Sequence, residues 1–367
     1  MPTRHAAWTR LITWLHSCIA VLVFAIALAP AVAWPASSAS QSCAAVEDTL
    51  EQLREGGGFG ALDAVVALSG DTPCYAWGAV DKPMPLASVR KSILSLLYGI
   101  AVERGLVDLN AKLVELSIDE SRTPLTPLER RATVRDLLMA KSGVYIEAAG
   151  ETPRMRARRP RRGAYAPGEF FYYNNWDFNV LGVIFERRTG MNIGRAIDEW
   201  LARPTGMTRF RSDDVGYQRS RFSDHPQYVV RMSANDLAKL GLLVLRRGAV
   251  SGRQVVPARW IEESTSPLTR MRHVNRNLPV DAFGYCWWVD ARSRDIWARG
   301  SGGQFLLIDH TNDLVIVTRH DIGRAAPRSW WRRGADVDIQ RSVDIHKTAV
   351  AALRLSAQLN PGRSRRD

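Results

Sequence analysis

Ser88 and Lys91 stand three residues apart in Leu86-Ala-Ser-Val-Arg-Lys91, at the head of an apolar run that ends at Gly105. Helical spacing puts residues i and i+3 on one face, so the serine hydroxyl and lysine amine can come within hydrogen-bond reach. A serine hydroxyl is a weak nucleophile and needs a base. A lysine stripped of water near a helix N-terminus can serve, because the dipole and burial both disfavour its ammonium form. The chemistry would be acyl transfer through a serine ester. The pair alone is a weak signal, since Ser and Lys three apart recur by chance, and the rest of the chain must supply the supporting groups.

Ile93, Leu94, Leu96, Leu97, Ile100, Ala101 and Val102 leave the following helix almost no polar face, which predicts burial inside a large domain. A second group lies in Tyr172-Tyr-Asn-Asn-Trp176, after the turn signal Pro167-Gly168, and is expected on a loop. The Tyr173 phenol beside a lysine can share a proton, and the Asn175 amide can orient the lysine and hold a substrate carbonyl. A core-packed aromatic turn would have the same composition.

These pieces occur in a recognisable order: Ser88-x-x-Lys91, Thr133-Val-Arg-Asp-Leu-Leu138, Ser142-Gly143, Pro167-Gly168, and Tyr173-x-Asn175 with Leu181-Gly182. In that order the chain resembles the serine beta-lactamase-like superfamily, in the branch of class C beta-lactamases, D-alanyl-D-alanine peptidases, related esterases and 6-aminohexanoate-oligomer hydrolases. The resemblance covers essentially everything after the N-terminal segment. It implies that Ser88 is acylated, that Lys91 is its base, that Tyr173 assists proton transfer and that Asn175 supports them. The family's third box, K-T-G or H-x-G on an inner strand, has its counterpart in Ala298-Arg-Gly-Ser-Gly-Gly-Gln304. Arg299, Gly300, Ser301 and Gly303 are the candidate substrate-binding positions there, with a backbone N–H completing an oxyanion hole with that of Ser88. Neither Lys nor His precedes the glycine. Arg299 could replace that cation or point into solvent, and the departure counts against a strict beta-lactamase. Trp287-Trp288 resembles the esterase and amide-hydrolase branch, although core packing on a strand would also explain the pair.

Around these residues the pattern reads as α+β, an α/β sandwich. Val46, Leu50 and Leu53 predict a helix over 44–54, and the runs 62–68 and 74–80 predict a hairpin. Helices are expected at 111–116, 133–140, 179–188, 193–202 and 234–246, so that residues 92–265 are mainly helices and loops. Strands at 284–289, 295–298, 304–309 and 314–318 predict an antiparallel meander, and 343–359 a closing helix. One antiparallel sheet built from both chain ends and flanked by terminal helices, with an inserted mainly helical lobe, accounts for this order. The lobes are expected at 44–87 with 283–360, and at 88–282, within one domain over 44–367.

Residues 1–33 carry Arg4 and Arg10, an apolar run from Leu11 to Ala29 and the small-x-small site Ala31-Val-Ala33. This reads as a secretory signal peptide, with an uncleaved membrane anchor as the alternative, and 34–43 as a spacer. The expected location is exported, periplasmic or secreted. Loss of that segment takes the formal charge from +13 to +11. Arg154, Arg156, Arg158, Arg159, Arg161 and Arg162 form the densest cluster, read as a solvated loop or as attraction to an anionic envelope component. Export and the lack of a recognised binding motif exclude nucleic acid as the expected partner; a small-molecule ester or amide is expected instead.

Cys43, Cys74 and Cys286 remain after the leader, and Cys43–Cys74 is the favoured disulfide with Cys286 left over. No C-x-x-C or H-x-x-x-H spacing occurs, so no metal is expected, and the Ser88 chemistry needs no cofactor. Ser233-Ala-Asn235 imitates a further S-x-N box but opens a helix with Asp236 three residues on, as a cap would. His225, His273, His310, His320 and His346 have no G-x-S-x-G elbow to serve. The loops 144–166 and 266–282 are expected to shape the acyl pocket. A catalytically inactive envelope-binding protein with the same fold is the reading from another class.

Overall fold

The computed structural model describes residues 38–271, 280–323 and 330–359. The expected leader 1–33, His273 and residues 272–279 of the pocket loop lie outside the described residues. From Gln41 onward the chain forms one compact unit. Among the described residues no helix is long and apolar enough to cross a membrane.

The central element is an eight-stranded antiparallel sheet, in spatial order Thr72–Gly78, Ala64–Ser69, Leu314–Arg319, Gln304–Asp309, Ile296–Gly300, Trp288–Val289, Ala282–Phe283 and Thr269–Arg270. β1 (Ala64–Ser69) and β2 (Thr72–Gly78) form the expected N-terminal hairpin. β11 (Ile296–Gly300), β12 (Gln304–Asp309) and β13 (Leu314–Arg319) continue the C-terminal meander, joined on its far side by β8 (Thr269–Arg270), β9 (Ala282–Phe283) and β10 (Trp288–Val289). The two ends of the chain meet where β1 pairs with β13, Val66 opposite Val317.

The central strands β1, β12 and β13 are apolar almost throughout because both faces are covered. Val65, Ala67, Trp297, Phe305, Leu307, Leu314 and Ile316 face a core that includes Val46 and Leu50 of helix α1 (Ser38–Glu55) and Ile345 and Ala349 of the long C-terminal helix Trp330–Leu359. Residues of opposite parity, among them Val66, Ala298, Leu306, Ile308 and Val317, face the larger core with helix α2 (Arg90–Glu103). The α+β sandwich expected from the sequence is therefore the observed architecture. Cys43 and Cys74 form the disulfide, tying α1 to β2, and Cys286 is a buried free thiol.

Three expectations need correction. Residues 223–232 form a long strand, β5 (Ser223–Met232), paired with β4 (Val215–Ser220) and with β3 (Met84–Pro85). Its buried Tyr228, Val230 and Met232 alternate with less buried neighbours, the two-residue period of a strand. Residues 111–116 are turns rather than a helix, because the Leu113 and Val114 amides are spent on the Ala132 and Arg130 carbonyls. Of 284–289 only Trp288–Val289 is strand; the Gly284 amide bonds to Trp287 O, and Cys286 adopts φ +64°, closing a turn.

Candidate active site

The chain reaches Ser88 along β3, held by pairing with β5 and by the Leu86 amide on Val230 O at 2.9 Å. Ala87 then takes φ +47°, a left-handed conformation costing a non-glycine residue roughly 1–2 kcal/mol. This sharp corner feeds a one-turn 3₁₀ segment, Ala87–Val89, directly before α2, and places Ser88 half-buried at the helix start. Lys91, in the first turn of α2, sets its Nζ 2.9 Å from Ser88 Oγ. The side chain is almost wholly buried, and among the described residues it makes no ion pair with a carboxylate. Its Nζ lies 4.7 Å from the ring centre of Tyr173 and 4.9 Å from that of Phe178. Burial first, then the charge of Arg90, hold the lysine well below its ordinary value.

Tyr173 comes to the same place, its ring centre 4.7 Å from Lys91 Nζ and its phenol close enough to Ser88 for the hydroxyl to lower its pKa, so the two sequence motifs meet. Its residue surface stays partly open, while protein packed around the phenol pushes its pKa up to about 12 despite the influence of Ser88. At neutral pH the phenol keeps its proton. Tyr172, beside it, donates its amide to Ala140 O at 3.0 Å and its hydroxyl to Met155 O at 2.8 Å, fixing the segment on both sides.

The tyrosine segment is not followed by further loop. Helix α3 (Asn175–Thr189) begins at once, with Asn174 as its cap. Asn175 donates to Gly150 O at 2.7 Å and makes no hydrogen bond to Lys91 among the described residues, so the lysine-orienting part of its expected role is not seen. Its place in the first helical turn aims the amide at the 148–150 loop. Asn174 donates to Val144 O and to Asp177 Oδ1, and Ser142 adds a 2.6 Å bond to the same oxygen. Asp177 is thereby buried, its carboxyl held well above the ordinary value by burial.

The glycine-rich stretch does come to Ser88. A Cβ on Gly300 would lie 2.5 Å from Leu86 O and 3.1 Å from Ala87 Cβ, so only glycine lets β11 approach the corner this closely. Gly302 and Gly303 follow at φ +83° and +77°, turning the chain into β12. Gly302 O accepts from Gln304 Nε2, and Gly303 O from Thr318 Oγ1. Half-buried Ser301 opens this turn. Arg299 lies over the Trp288 ring, its guanidinium carbon 4.9 Å from the ring centre. Trp288 in turn stacks on Tyr173, centres 5.3 Å apart at 28°. The paired tryptophans divide where the turn meets the strand: Trp287 goes to the core and Trp288 forms a wall of the site.

Sequence reasoning missed Arg319. Fully buried at the end of β13, its guanidinium donates to Met232 O and Met84 O at 2.8 Å, to Pro85 O at 3.0 Å and to Gln304 Oε1 at 2.7 Å. It joins the strand feeding Ser88 to the residue ending the glycine turn, and burial lowers its pKa to about 9. A lone arginine closing an apolar strand was the available signal. Glu120 was missed as well; it accepts from Trp176 Nε1, Ser223 Oγ and the Asp224 amide, anchoring the start of α3.

The remaining candidates lie elsewhere. Ser233 caps the helix Ala234–Leu245, accepting the Asp236 amide at 3.1 Å. His225, His310, His320 and His346 make no hydrogen bond to Ser88 among the described residues. In the arginine cluster Arg156 and Arg159 pair with Glu151, and Arg162 with Glu129, leaving Arg154, Arg158 and Arg161 on the exposed surface.

An uncharacterized protein of Alkalihalophilus pseudofirmus is 23% identical over 286 residues, 73% of this chain and 79% of that protein. The 6-aminohexanoate-dimer hydrolase of Paenarthrobacter ureafaciens is 27% identical over 190 residues, half of this chain and 47% of the enzyme. Among solved structures, unliganded simvastatin synthase (LovD) from Aspergillus terreus superposes with a TM-score of 0.59 at 16% identity, over 88% of this chain and 99% of that one. The fold is therefore the beta-lactamase/transpeptidase fold, and the curated relative from Paenarthrobacter ureafaciens is a hydrolase. The Beta-lactamase family model matches residues 46–322, from the first helix through the end of the meander, and the chain belongs to that family.

Proposed function

We propose that the protein is an exported serine hydrolase that forms an acyl-enzyme on Ser88 and acts on esters or small amides. The observation that carries this reading is the 2.9 Å approach of a buried lysine, without a carboxylate partner among the described residues, to a serine hydroxyl at a strained corner.

Lys91 in its amine form takes the Ser88 proton as Oγ attacks the substrate carbonyl. The developing oxyanion is met by the Ser88 N–H and an N–H of the 300–303 turn. Lys91 returns a proton through the Tyr173 hydroxyl to the leaving alcohol or amine, the C–O or C–N bond breaks, and an acyl ester remains on Ser88. Water then adds to that ester, gives its proton to the Lys91–Tyr173 pair, and the acid leaves as Oγ recovers its hydrogen. Tyr173 with its raised pKa acts as a donor and relay rather than as the resting base.

The aromatic wall of Tyr173, Phe283 and Trp288 favours an apolar acyl or leaving group. The 6-aminohexanoate-dimer hydrolase among the relatives supports amide substrates, and D-alanyl-D-alanine peptidase or beta-lactamase activity is the alternative. The Cys43–Cys74 disulfide supports an oxidising compartment.

Intact mass after exposure to a fluorophosphonate and, separately, to a penicillin, with Ser88→Ala alongside, tests the proposal. An adduct that requires Ser88 is expected, with the fluorophosphonate the better reagent. No adduct from either in folded protein would favour the inactive, envelope-binding reading.

A further inference from the structure

Far from Ser88, Asp295, Asp309 and His346 bring one ligand atom each to within 4.8 Å of one another. The β11–β12 register pairs Trp297 with Leu307 and Ile296 with Ile308, so the next step sets Asp295 opposite Asp309. Strand alternation turns both toward the side of Trp297 and Leu307, where the C-terminal helix packs. Directly opposed like charges weaken a ladder, and burial makes them costlier. Asp309 is 2% exposed and Asp295 8%. Among the described residues neither forms an ion pair with lysine or arginine. The facing group is His346, its Nε2 3.1 Å from Asp309 Oδ2 and its ring edge-on to Trp297. Asn312 holds the Asp309 carboxylate in place through its amide N–H on Oδ1 (3.0 Å) and its Nδ2 on Oδ2 (2.6 Å), as outer partners hold metal ligands. The Asp295 amide donates to Ser293 Oγ at 3.3 Å.

We propose that Asp295, Asp309 and His346 bind a divalent transition ion of the Zn²⁺ class through two carboxylate oxygens and one imidazole nitrogen, with water completing the shell. Ligands about 2.1 Å from a tetrahedral ion stand about 3.4 Å apart, a spacing this cluster reaches with small side-chain movements. The imidazole disfavours Mg²⁺ and Ca²⁺. The ion would neutralise the opposed pair and clamp the hairpin to the C-terminal helix. Its site lies at the opposite end of the hairpin from the glycine turn, roughly 17 Å away, so its role is structural. A proton on Asp295 would relieve the same repulsion, and the experiment separates the two.

Protein dialysed against a chelator is titrated with ZnCl₂ by calorimetry, and thermal unfolding is followed with and without zinc. The expected result is one zinc per chain and a rise in Tm of a few degrees. His346→Gln and Asp295→Asn each weaken binding at least about tenfold, and Ser88→Ala binds as the parent does. Asp295→Asn keeps the shape and removes the repulsion, so it remains folded without metal even if His346→Gln does not. No saturable binding by the folded parent would overturn the site in favour of the shared proton. Binding unchanged in Asp295→Asn would overturn it in favour of an adventitious ion.

Discussion

Following the rate of Ser88 phosphonylation from about pH 6 to about pH 11 asks whether Lys91 is poised as a base. An ordinary lysine, at 10.5, carries a free amine in about one molecule in 10³ at pH 7.5, a cost of about 4 kcal/mol. Burial and Arg90 lower the Lys91 value well below that, so the rate should rise and level off well before pH 10.5. Lys91→Arg keeps the charge at every accessible pH and should slow the reaction at least about 10³-fold, the fraction just derived. Stability carries the opposite sign. A folded-state lysine pKa below the unfolded one means that the native state binds fewer protons. The cost is full below the folded pKa and vanishes as pH approaches 10.5. Lys91→Met should therefore fold at least as stably as the parent at pH 7 while inert, with its advantage shrinking toward pH 10.5 in urea titrations. A log rate that climbs with unit slope to pH 10.5 without a plateau would refute the reasoning.

Gly300→Ala drives a Cβ into the backbone carbonyl of Leu86, and should cost about 1–3 kcal/mol in chemical denaturation and slow phosphonylation more than tenfold. Replacing Cys43 and Cys74 by alanine opens a cross-link spanning 31 residues, and should lower stability by about 3–4 kcal/mol in urea unfolding, with the phosphonylation rate of the folded fraction unchanged. Arg319→Met strands buried carbonyls at about 1–3 kcal/mol each, so the urea midpoint should fall by the equivalent of at least about 3 kcal/mol.

Periodicity made the sheet legible at both ends of the chain, because its strands are short apolar runs bounded by turn residues. β5 was less so: Asp224, His225, Pro226 and Gln227 interrupt its apolar residues, and its pairing with β3 and β4 is tertiary. Ser88, Lys91 and Tyr173 could be named from spacing and order, and the structure brings these three together. Asn175 could not be placed, because its direction depends on where α3 starts, four residues before the start that the hydrophobic pattern gives. Arg319 and the Asp295–Asp309–His346 cluster are assembled by strand register from distant positions, so no local motif announces them. Counting cysteines allowed one disulfide but three pairings, and the fold, by setting α1 against β2, selects Cys43–Cys74.

The guanidinium of Arg319 also bears on how the protein comes apart. It holds acceptors from three separate stretches of chain at once, two of them beside Ser88 and the glycine turn. Loosening either stretch takes an acceptor away from a buried charge, so the backbone amides there should exchange with solvent more slowly than those of the surface loops.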